Sequence, residues 1–422
     1  ESTKLNTPRE TLSQALTVYD FADRQRYHQQ LSLQEYLRQV PGLFTLNANN
    51  YAQDLRLSIR GFGSRAAFGI RGVKLVVDGI PETTPDGQGQ VDNLPLPLLD
   101  RIEVLRGPAS SLYGNASGGV LYMTTIDSLK GDPVRFATLF GSYGMQSYQA
   151  QQYIKKGKTK LLLFQTVLNT NGYREKSHLK QRQLNAKLSH HFSPTSKLLW
   201  QLNYTSSPEA GDPGGLTLAE AEENRSQARL RNVDYDTYEK IAQFKTGLQW
   251  KKEFMNGAEW NSYGFYSTRD FYGKLPFERG GIVDLFRNYY GLGTSLKKTK
   301  TSHRWRMGAE WAEQGDQRDR YENINGVWSQ LGSDIISSDG SNNFPGLAVS
   351  ISDDGDGRAP KGELTLIASI FTKTKDWFDL DKQTYLKKKN DFMKKISLEL
   401  ESQFDIDPEK WLHRELATPL GF

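Results

Sequence analysis

Three short, mainly apolar runs in the first third of the chain are each followed closely by glycine or proline. They cover residues 55–59, Val73–Val77 and 102–105, and they consist mainly of Leu, Ile and Val. Gly61 and Gly79 follow closely after the first two runs, at positions where a residue without Cβ can adopt positive φ or let another segment approach. This pattern predicts brief β-strands connected by tight turns.

Beyond residue 129 the pattern changes to longer segments in which apolar and polar residues alternate. Clear examples are residues 184–189, 200–204, 290–296 and 305–311. A period of two residues places successive side chains on opposite faces, so these segments are predicted to be strands with one apolar face. A spacing of about ten residues per strand predicts roughly nine or ten strands between residues 135 and 328. An antiparallel sandwich with one solvated face would show the same period, so the pattern alone leaves that alternative open.

The connections between these segments alternate in length. Residues 156–158 and 256–257 are short turns, whereas residues 206–237 form a long polar stretch that contains several Gly and two Pro. In transmembrane β-barrels the short turns face the periplasm and the long loops face outward. The alternation therefore favours a barrel with residues 206–237 on the outer side.

Two segments have helical rather than strand spacing. The first starts near residue 31, where Ser32 can cap a helix and Pro41-Gly42 would end it. The second covers residues 380–400, which are rich in Lys and have an apolar stripe at helical intervals. A helix does not fit a barrel wall, and the alternation is poor from about residue 344 onward. The sequence therefore predicts a separate tail over residues 342–422.

Composition restricts the class of protein. Charged residues make up 24% of the chain and hydrophobic residues 37%, and no run approaches the roughly 18 apolar residues of a transmembrane helix. A transmembrane β-barrel is compatible, because lipid-facing and lumen-facing residues alternate and average to a polar composition. The 20 Tyr and 8 Trp could form interfacial girdles or pack in a core. The net charge of +5 is scattered, so nucleic-acid binding is not indicated.

Five motifs between residues 58 and 120 occur in a characteristic order, namely IRG, VDG, IEVLRGP, YG and GGV. In this order they resemble the plug domain of bacterial TonB-dependent outer-membrane receptors. The residues that carry the resemblance are Arg60, Gly61, Asp78, Gly79, Gly107, Pro108, Tyr113, Gly114, Gly118 and Gly119.

The resemblance implies a mostly β fold with four regions. A small α+β plug domain over residues 31–130 would sit inside an antiparallel transmembrane β-barrel, whose N-terminal part would cover residues 131–331. An uncertain segment, residues 1–30, would precede the plug, and an α/β-like tail would follow the barrel. Plugged outer-membrane transporters have about 22 strands, so this chain is expected to form an incomplete barrel. A junction between unrelated pieces near residues 331–343 would explain the tail.

The resemblance also implies a function in active uptake. A receptor of this kind takes up a scarce ligand through the bacterial outer membrane and contacts outer-membrane lipid and a TonB-type energy-coupling protein. It is not an enzyme and uses no cofactor. The first thirty residues contain no convincing TonB box, so the sequence does not assign the residues of the coupling contact.

Candidate ligand residues lie on two Gly-rich polar loops, residues 63–70 and 85–90 and their edges. In the resembling family the corresponding apices face the ligand, which favours Arg65, Arg71, Gln88 and Gln90. Guanidinium groups are planar, permanently charged donors that suit carboxylates, and the loop resembles that of ferric dicitrate-type receptors. We therefore expect an anionic ferric chelate, such as a ferric siderophore or ferric citrate. Simple turn structure would explain the same glycines.

A second set of charged residues surrounds the plug strands. Family plugs use Arg and Glu to bridge to carboxylates of the barrel wall, and the motif position assigns this ionic latch to Glu103 and Arg106. Buried ion pairs add little net stability, so such a latch would be valuable because it is reversible. A solvated turn is the alternative interpretation.

The sequence leaves two other classes of function open. The run from residue 367 to the C-terminus resembles a late segment of flavin-dependent carotenoid desaturases and isomerases, which suggests a flavin-dependent oxidoreductase, but no GxGxxG follows a strand. A soluble β-rich binding protein is the third hypothesis. Residues 352–363 approach calcium-loop spacing without its first Asp, and the six His do not pair at ligand spacing, so no metal site is predicted.

Overall fold

The computed structural model describes residues 15–21, 28–46, 50–64, 66, 69–107, 109, 113–114, 116–129, 131–299, 304–324, 327–337, 348–352, 365–369 and 380–404. The chain divides into two compact units, Glu1–Ser338 and Asp339–Phe422. Within the first unit we call the described residues from 15 to 129 the plug, and the large sheet that follows the wall.

The plug is built on a five-stranded sheet. Its strands are β1 (Ala15–Asp20), β5 (Val73–Val77), β6 (Ile80–Pro81), β8 (Leu99–Arg106) and β9 (Gly119–Thr125). They lie in the order β1-β8-β9-β5-β6, with β5 and β9 parallel and the other neighbours antiparallel. Two small antiparallel sheets complete the plug, one of β2 (Leu43–Leu46) and β3 (Arg56–Ile59), the other of β4 (Ile70–Arg71) and β7 (Gln88–Gly89). The three predicted runs are thus confirmed as β3, β5 and part of β8.

The turn residues of the plug adopt the backbone conformations that their chemistry allows. Asp78 and Gly79 both have positive φ, 48° and 86°, as the type I′ turn between β5 and β6 requires. Gly119 begins β9 beside β8, where an added Cβ would lie 2.2 Å from the carbonyl oxygen of Leu105. The Asp78-Gly79 turn therefore connects β5 to β6, and the absence of a side chain at Gly119 allows β9 to approach β8 closely.

The predicted helix after residue 31 is shorter than its spacing suggests. Helix α1 comprises only Gln34–Leu37, and a turn leads from it to Gly42, which has a φ of +72°. Ser32 Oγ accepts a hydrogen bond from the backbone N–H of Gln34, while the Glu35 carboxylate accepts from four backbone N–H groups of residues 29–32. Tyr36 and Leu37 are buried in the plug core, so the short turn seals one side of that core.

The wall is one ten-stranded antiparallel sheet in which sequence neighbours are paired. Its strands are β10 (Val134–Gly141), β11 (Met145–Lys156), β12 (Thr159–Thr170), β13 (Leu179–Ser193), β14 (Ser196–Gly211), β15 (Tyr238–Glu253), β16 (Ala258–Lys274), β17 (Arg279–Thr299), β18 (Arg304–Ile324) and β19 (Val327–Ser337). Over the described residues, β10 and β19 stand at the two ends of this sheet. The number of strands agrees with the nine or ten that the alternating segments predict.

The two faces of the wall differ in chemistry, as the alternation predicts. The face toward the plug presents polar side chains such as Asn185 and Lys187, which bond to other inner residues. The opposite face leaves large apolar side chains exposed, including Leu292, Met307 and Trp311. Exposed aromatics on this face favour the girdle interpretation over core packing. A large exposed apolar surface of this kind is what a sheet embedded in lipid requires.

The long stretch predicted over residues 206–237 begins later in the structure. Strand β14 continues to Gly211, and two short helices, α2 (Leu218–Glu223) and α3 (Leu230–Asp234), lie within the connection to β15. The Arg174 guanidinium donates hydrogen bonds to the backbone oxygens of Pro213, Gly214 and Gln227. Because one side chain ties three carbonyls together, the loop has a defined shape.

The second unit is described only in part. It contains a hairpin of β20 (Ala348–Ser352) and β21 (Thr365–Ser369) and a helix, α4 (Lys382–Phe404). The helix predicted over residues 380–400 is therefore confirmed. Within the described part of the chain, no helix is both long enough and apolar enough to cross a membrane.

Candidate functional site

The Asp78-Gly79 turn attaches one end of the plug to the wall. The Asp78 carboxylate accepts hydrogen bonds from the backbone N–H and the hydroxyl of Thr125, at 2.9 and 2.5 Å. On its other side Asp78 lies 3.2 Å from Lys187 Nζ on β13, and Lys187 also pairs with Asp127 at 2.7 Å. Asp127 lies outside the strands and pairs with Lys197 as well. Burial pushes the pKa of Asp127 upward, but the two lysines outweigh this and hold the pKa below its ordinary value.

A second ion pair lies further along the same plug segment. Lys245 Nζ on β15 is 2.6 Å from the Glu82 carboxylate and donates to the backbone oxygen of Pro81 at 2.6 Å. Both charged side chains are buried, with 7% and 8% of their surface exposed. Asn93 Nδ2 donates to the other Glu82 oxygen at 3.4 Å. Such a pair is costly to break on one side only, since the remaining charge would be left without a partner.

A third contact places an arginine between plug and wall. Arg269 on β16 has 2% of its side chain exposed and forms two parallel hydrogen bonds with Asp92, at 3.0 and 2.6 Å. It also donates to Gln243 at 2.8 Å. This planar, bidentate geometry is the strongest form of carboxylate recognition.

Asp54 lies beside this arginine pair. Burial and the nearby negative charge of Asp92 raise the pKa of Asp54 to about 6, although Arg269 and hydrogen bonds from the Gly69 backbone and the Gln90 side chain act in the opposite direction. The plug therefore contains a carboxyl group that changes its charge near neutral pH.

The plug apex is formed by the paired strands β4 and β7. Arg71 and Gln88 are direct partners in this pair, and the Arg71 guanidinium bonds to Asp86 through its carboxylate at 3.2 Å and its backbone oxygen at 3.0 Å. Gln88 Oε1 accepts from Arg287 on β17 at 3.3 Å. Arg287 in turn forms two hydrogen bonds with Asp316 on β18, at 2.8 and 2.6 Å.

The charge at the apex is controlled by these arginines. Burial pushes the pKa of Asp86 upward, but the hydrogen bond from Thr84 and the positive charges of Arg287 and Arg71 keep the pKa below its ordinary value. Asp86 is therefore ionised at neutral pH. Arg71 remains 44% exposed, so its guanidinium is accessible to solvent.

The structure brings together only some of the predicted ligand residues. Arg71 and Gln88 are adjacent, whereas Gln90 donates its side-chain hydrogen bond to Asp54 inside the plug. Arg65 lies outside the described residues, as do Pro108 of the plug motif and residues 353–364 of the calcium-like loop. Among the described residues, no group of three or more His, Asp or Glu could hold a metal ion.

The two residues of the predicted ionic latch lie on β8. Glu103 is buried, with 3% of its surface exposed. Arg106 donates to the Pro41 backbone oxygen at 2.5 Å and to the Thr17 hydroxyl at 3.1 Å, so these contacts stay within the plug. The plug–wall ion pairs described above instead join plug carboxylates to wall cations. Their polarity is the reverse of the predicted Arg-to-wall-carboxylate bridge.

The cations of the wall were not among the residues predicted from the sequence. Lys187, Lys245, Arg269 and Arg287 occupy the polar phase of their alternating strands, which points toward the plug. The sequence does contain one signal for these residues. A long basic side chain at a polar, inward-facing position of a barrel strand is buried against the plug, and a buried charge needs a partner. The pattern could not identify the partner, since that depends on how the plug is seated.

Comparisons with known proteins agree with this architecture. Residues 8–120 match the family model described as TonB-dependent Receptor Plug Domain. The ferric citrate transporter FecA in its unliganded form is similar at 21% identity and a TM-score of 0.61, over 77% of this chain and 51% of that one. The siderophore receptor PiuA from Acinetobacter baumannii is similar at 15% identity and a TM-score of 0.58, over 81% of this chain and 51% of that one.

A third solved structure has the same fold. The ferric yersiniabactin uptake receptor FyuA from Yersinia pestis is 15% identical with a TM-score of 0.58, over 75% of this chain and 50% of that one. The chain thus spans about half the length of these structures. The predicted mostly β fold, with a plug against an antiparallel barrel sheet, is confirmed.

Proposed function

We propose that the chain belongs to a bacterial outer-membrane receptor and acts in active uptake of a scarce ligand; the match of residues 8–120 to the plug-domain model of TonB-dependent receptors supports this. The plug would block the passage until a TonB-type energy-coupling protein acts on it. The receptor fold, rather than an enzyme fold, supports this function over a flavin-dependent oxidoreductase. The exposed apolar face of the wall supports it over a soluble binding protein.

The proposed ligand is an anionic ferric chelate of the ferric citrate or siderophore type. The observation that supports it is the half-exposed guanidinium of Arg71 at the plug apex, beside the Gln88 amide. Arg71 already holds one carboxylate, Asp86, so a ligand carboxylate could take over the same fork. Arg65, on the neighbouring loop, is proposed to add a second guanidinium. Gln90 is proposed to act indirectly, because its described hydrogen bond goes to Asp54.

Calorimetry with ferric citrate tests the role of Arg71. We expect Arg71→Ala to weaken binding by about 1.5 to 3 kcal/mol, the usual range for a hydrogen bond to a charged group. Arg71→Lys should recover only part of this loss, since an ammonium cannot form the bidentate contact.

Arg101→Ala is a closely matched control. Arg101 is also a plug arginine in one ion pair, with Asp20 at 2.7 Å, and it is 46% exposed, but it lies on β8 away from the apex. Its loss should leave the affinity unchanged. If Arg71→Ala and Arg101→Ala bind ferric citrate as tightly as the parent protein, the apex is not the ligand site.

We also propose that Glu103 and Arg106 form the mechanical latch of the plug. Arg106 supports this role because it connects β8 to Thr17 on β1 and to Pro41, so tension on the N-terminal segment would pass through its guanidinium. Arg106→Ala should leave the heat stability of the barrel unchanged but make β1 easier to detach. Hydrogen–deuterium exchange of residues 15–20 measures this. Parent-like exchange in Arg106→Ala would remove Arg106 from the latch.

A further inference from the structure

Two cavities lie one above the other between the plug and the same three wall strands. The first, the upper cavity of about 90 Å³, is lined by Gln181 and Gln183 of β13, Thr205 and Ser207 of β14 and Glu239 and Ile241 of β15, together with residues of β11 and β12. The second, the lower cavity of about 60 Å³, is lined by residues 185–187, by residues 201–203 and by Lys245 and Gly247 of the same strands. Because a strand rises about 3.3 Å per residue, these are adjacent levels along one seam. Each cavity has room for several water molecules.

Plug residues 93–95, which follow Asp92, separate the two levels. Leu94 lines both cavities. Neutral wall side chains hold this segment by its backbone oxygens: Gln181 donates to Asp92 at 3.0 Å, Gln183 to Leu94 at 3.3 Å, Asn203 to Asn93 at 3.1 Å and Thr205 to Asn93 at 3.3 Å. Neutral hydrogen bonds of this kind exchange readily with water, since their net contribution is small.

The lower cavity contains buried polar atoms that need a hydrogen-bonding occupant. Asn93 Oδ1, Asn185 Nδ2 and Asn203 Oδ1 have no hydrogen-bond partner among the described residues. Asn93 and Asn185 are almost fully buried, with 2% and 7% of their surface exposed. Buried amides are normally satisfied by protein or by water, so the lining selects water or a molecule with hydroxyl or carboxylate groups.

The plug on either side of this segment is held more firmly, by the Lys187–Asp78 and Lys245–Glu82 ion pairs of β13 and β15 and by contacts at β16. At β16 the Arg269–Asp92 pair is bidentate. Next to it, Ile80 packs against Phe265 and Tyr289 in a buried apolar cluster. Separation there would break charge-assisted bonds and expose apolar surface to water.

We propose that residues 93–95 form a gate between two levels of a hydrophilic path along β13–β15. A hydrophilic ligand crosses by this path when the gate segment leaves the wall, while the β16–β17 side keeps the plug attached. The occupant of the path is water at rest and a hydroxyl- or carboxylate-bearing ligand in transit. This inference rests on the proposed uptake function, but the barrier itself can be measured without uptake.

The test uses a thiol reporter in the lower cavity. The chain has no Cys, so an Asn185→Cys substitution provides one reactive thiol. A negatively charged, membrane-impermeant methanethiosulfonate is added outside cells that produce the full chain, and the labelling rate is read by mass spectrometry. In this background Gln183→Met with Thr205→Val removes two wall donors to the gate and should accelerate labelling about tenfold or more.

Two substitutions serve as controls. Ser267→Ala removes an equally buried wall hydroxyl on β16, whose hydrogen bond goes to Phe244 of the wall, and should leave the labelling rate unchanged. If the double variant does not reach the membrane, Thr205→Val is compared with Thr205→Ser, which keeps the hydroxyl and should behave like the parent protein.

Three outcomes would overturn the gate. They are rapid labelling in the parent, an unchanged rate in the gate variants, and equal acceleration by Ser267→Ala. A failure of uptake with the expected labelling rates would instead contradict the proposed function and leave the gate intact.

Discussion

Asp54→Asn should stabilise the plug at neutral pH. In the folded protein the pKa of Asp54 is raised to about 6 by burial and by Asp92, whereas its ordinary value is 3.8. An amide has nearly the same shape, keeps an oxygen that can accept from the Gly69 backbone, and never becomes charged. The substitution therefore removes the cost of ionising a group beside another carboxylate.

The magnitude follows from the difference in pKa. Each pKa unit corresponds to about 1.4 kcal/mol, so the full shift corresponds to about 3 kcal/mol. Because Asp54 keeps some contact with solvent, we expect about 1 to 3 kcal/mol. Since the folded pKa is the higher one, the native state binds more protons than the unfolded state between pH 3.8 and about 6. The contribution of Asp54 is thus fully present below pH 3.8 and is lost as the pH rises through about 6.

Urea unfolding of the plug, followed by hydrogen–deuterium exchange from pH 4 to pH 8, measures this effect. Asp54→Asn should match the parent near pH 4 and exceed it at pH 8. Asp86→Asn is the control with opposite sign, because the pKa of Asp86 is lowered. Replacing this carboxylate should destabilise the plug by a similar amount from pH 8 down to pH 4, because its stabilising charge is lost only as the pH falls below the ordinary value of 3.8. A constant difference between Asp54→Asn and the parent over this pH range would refute the reasoning.

Three further predictions concern the wall and its loops. Lys245→Met should lower the free energy of plug unfolding by about 3 to 5 kcal/mol, because Glu82 is left buried without its partner. Adding Glu82→Gln should restore most of this free energy in urea titrations. A double variant as unstable as Lys245→Met alone would contradict this prediction. Arg174→Ala should speed proteolysis within residues 212–237, since three carbonyls lose their common donor, and parent-like cleavage would contradict it. Trp311, which is 51% exposed on the outer face, should be quenched by brominated lipid, and quenching by aqueous iodide instead would remove that face from the membrane.

Local patterns were sufficient for the elements but not for their mutual placement. The Asp78-Gly79 pair could be recognised as a turn because both residues tolerate positive φ, and the alternation identified the strands of the wall. Strand β14 was predicted too short because Ser206 and Ser207 look like loop residues, although both pair with β15 in the structure. Polar side chains on an inner barrel face resemble loop composition, so the pattern alone cannot separate the two.

The candidate site could be predicted only in part for a related reason. Arg71 and Gln88 could be proposed because both lie in or next to the two Gly-rich loops of the plug. Asp86, the partner of Arg71, lies nearby in the sequence. Arg287, the partner of Gln88, lies far along the chain on β17, so local patterns could not identify it. The same holds for Gln90, whose amide looks available in the sequence but bonds to Asp54 in the fold.

One continuous plug segment, residues 82–95, connects the apex to the gate. Its contacts follow in chain order: Glu82 with Lys245, Asp86 with Arg71, Gln88 with Arg287, Asp92 with Arg269, and residues 93–94 with the neutral donors of β13 and β14. A ligand carboxylate that displaces Asp86 from Arg71 would change the position of this segment at its centre. The bidentate pair at Asp92 and the buried Lys245–Glu82 pair would resist that movement, whereas the neutral gate bonds would yield first. Ligand capture at the apex and loosening of the seam along β13–β15 can therefore be coupled through the backbone of a single segment, without a change in the wall.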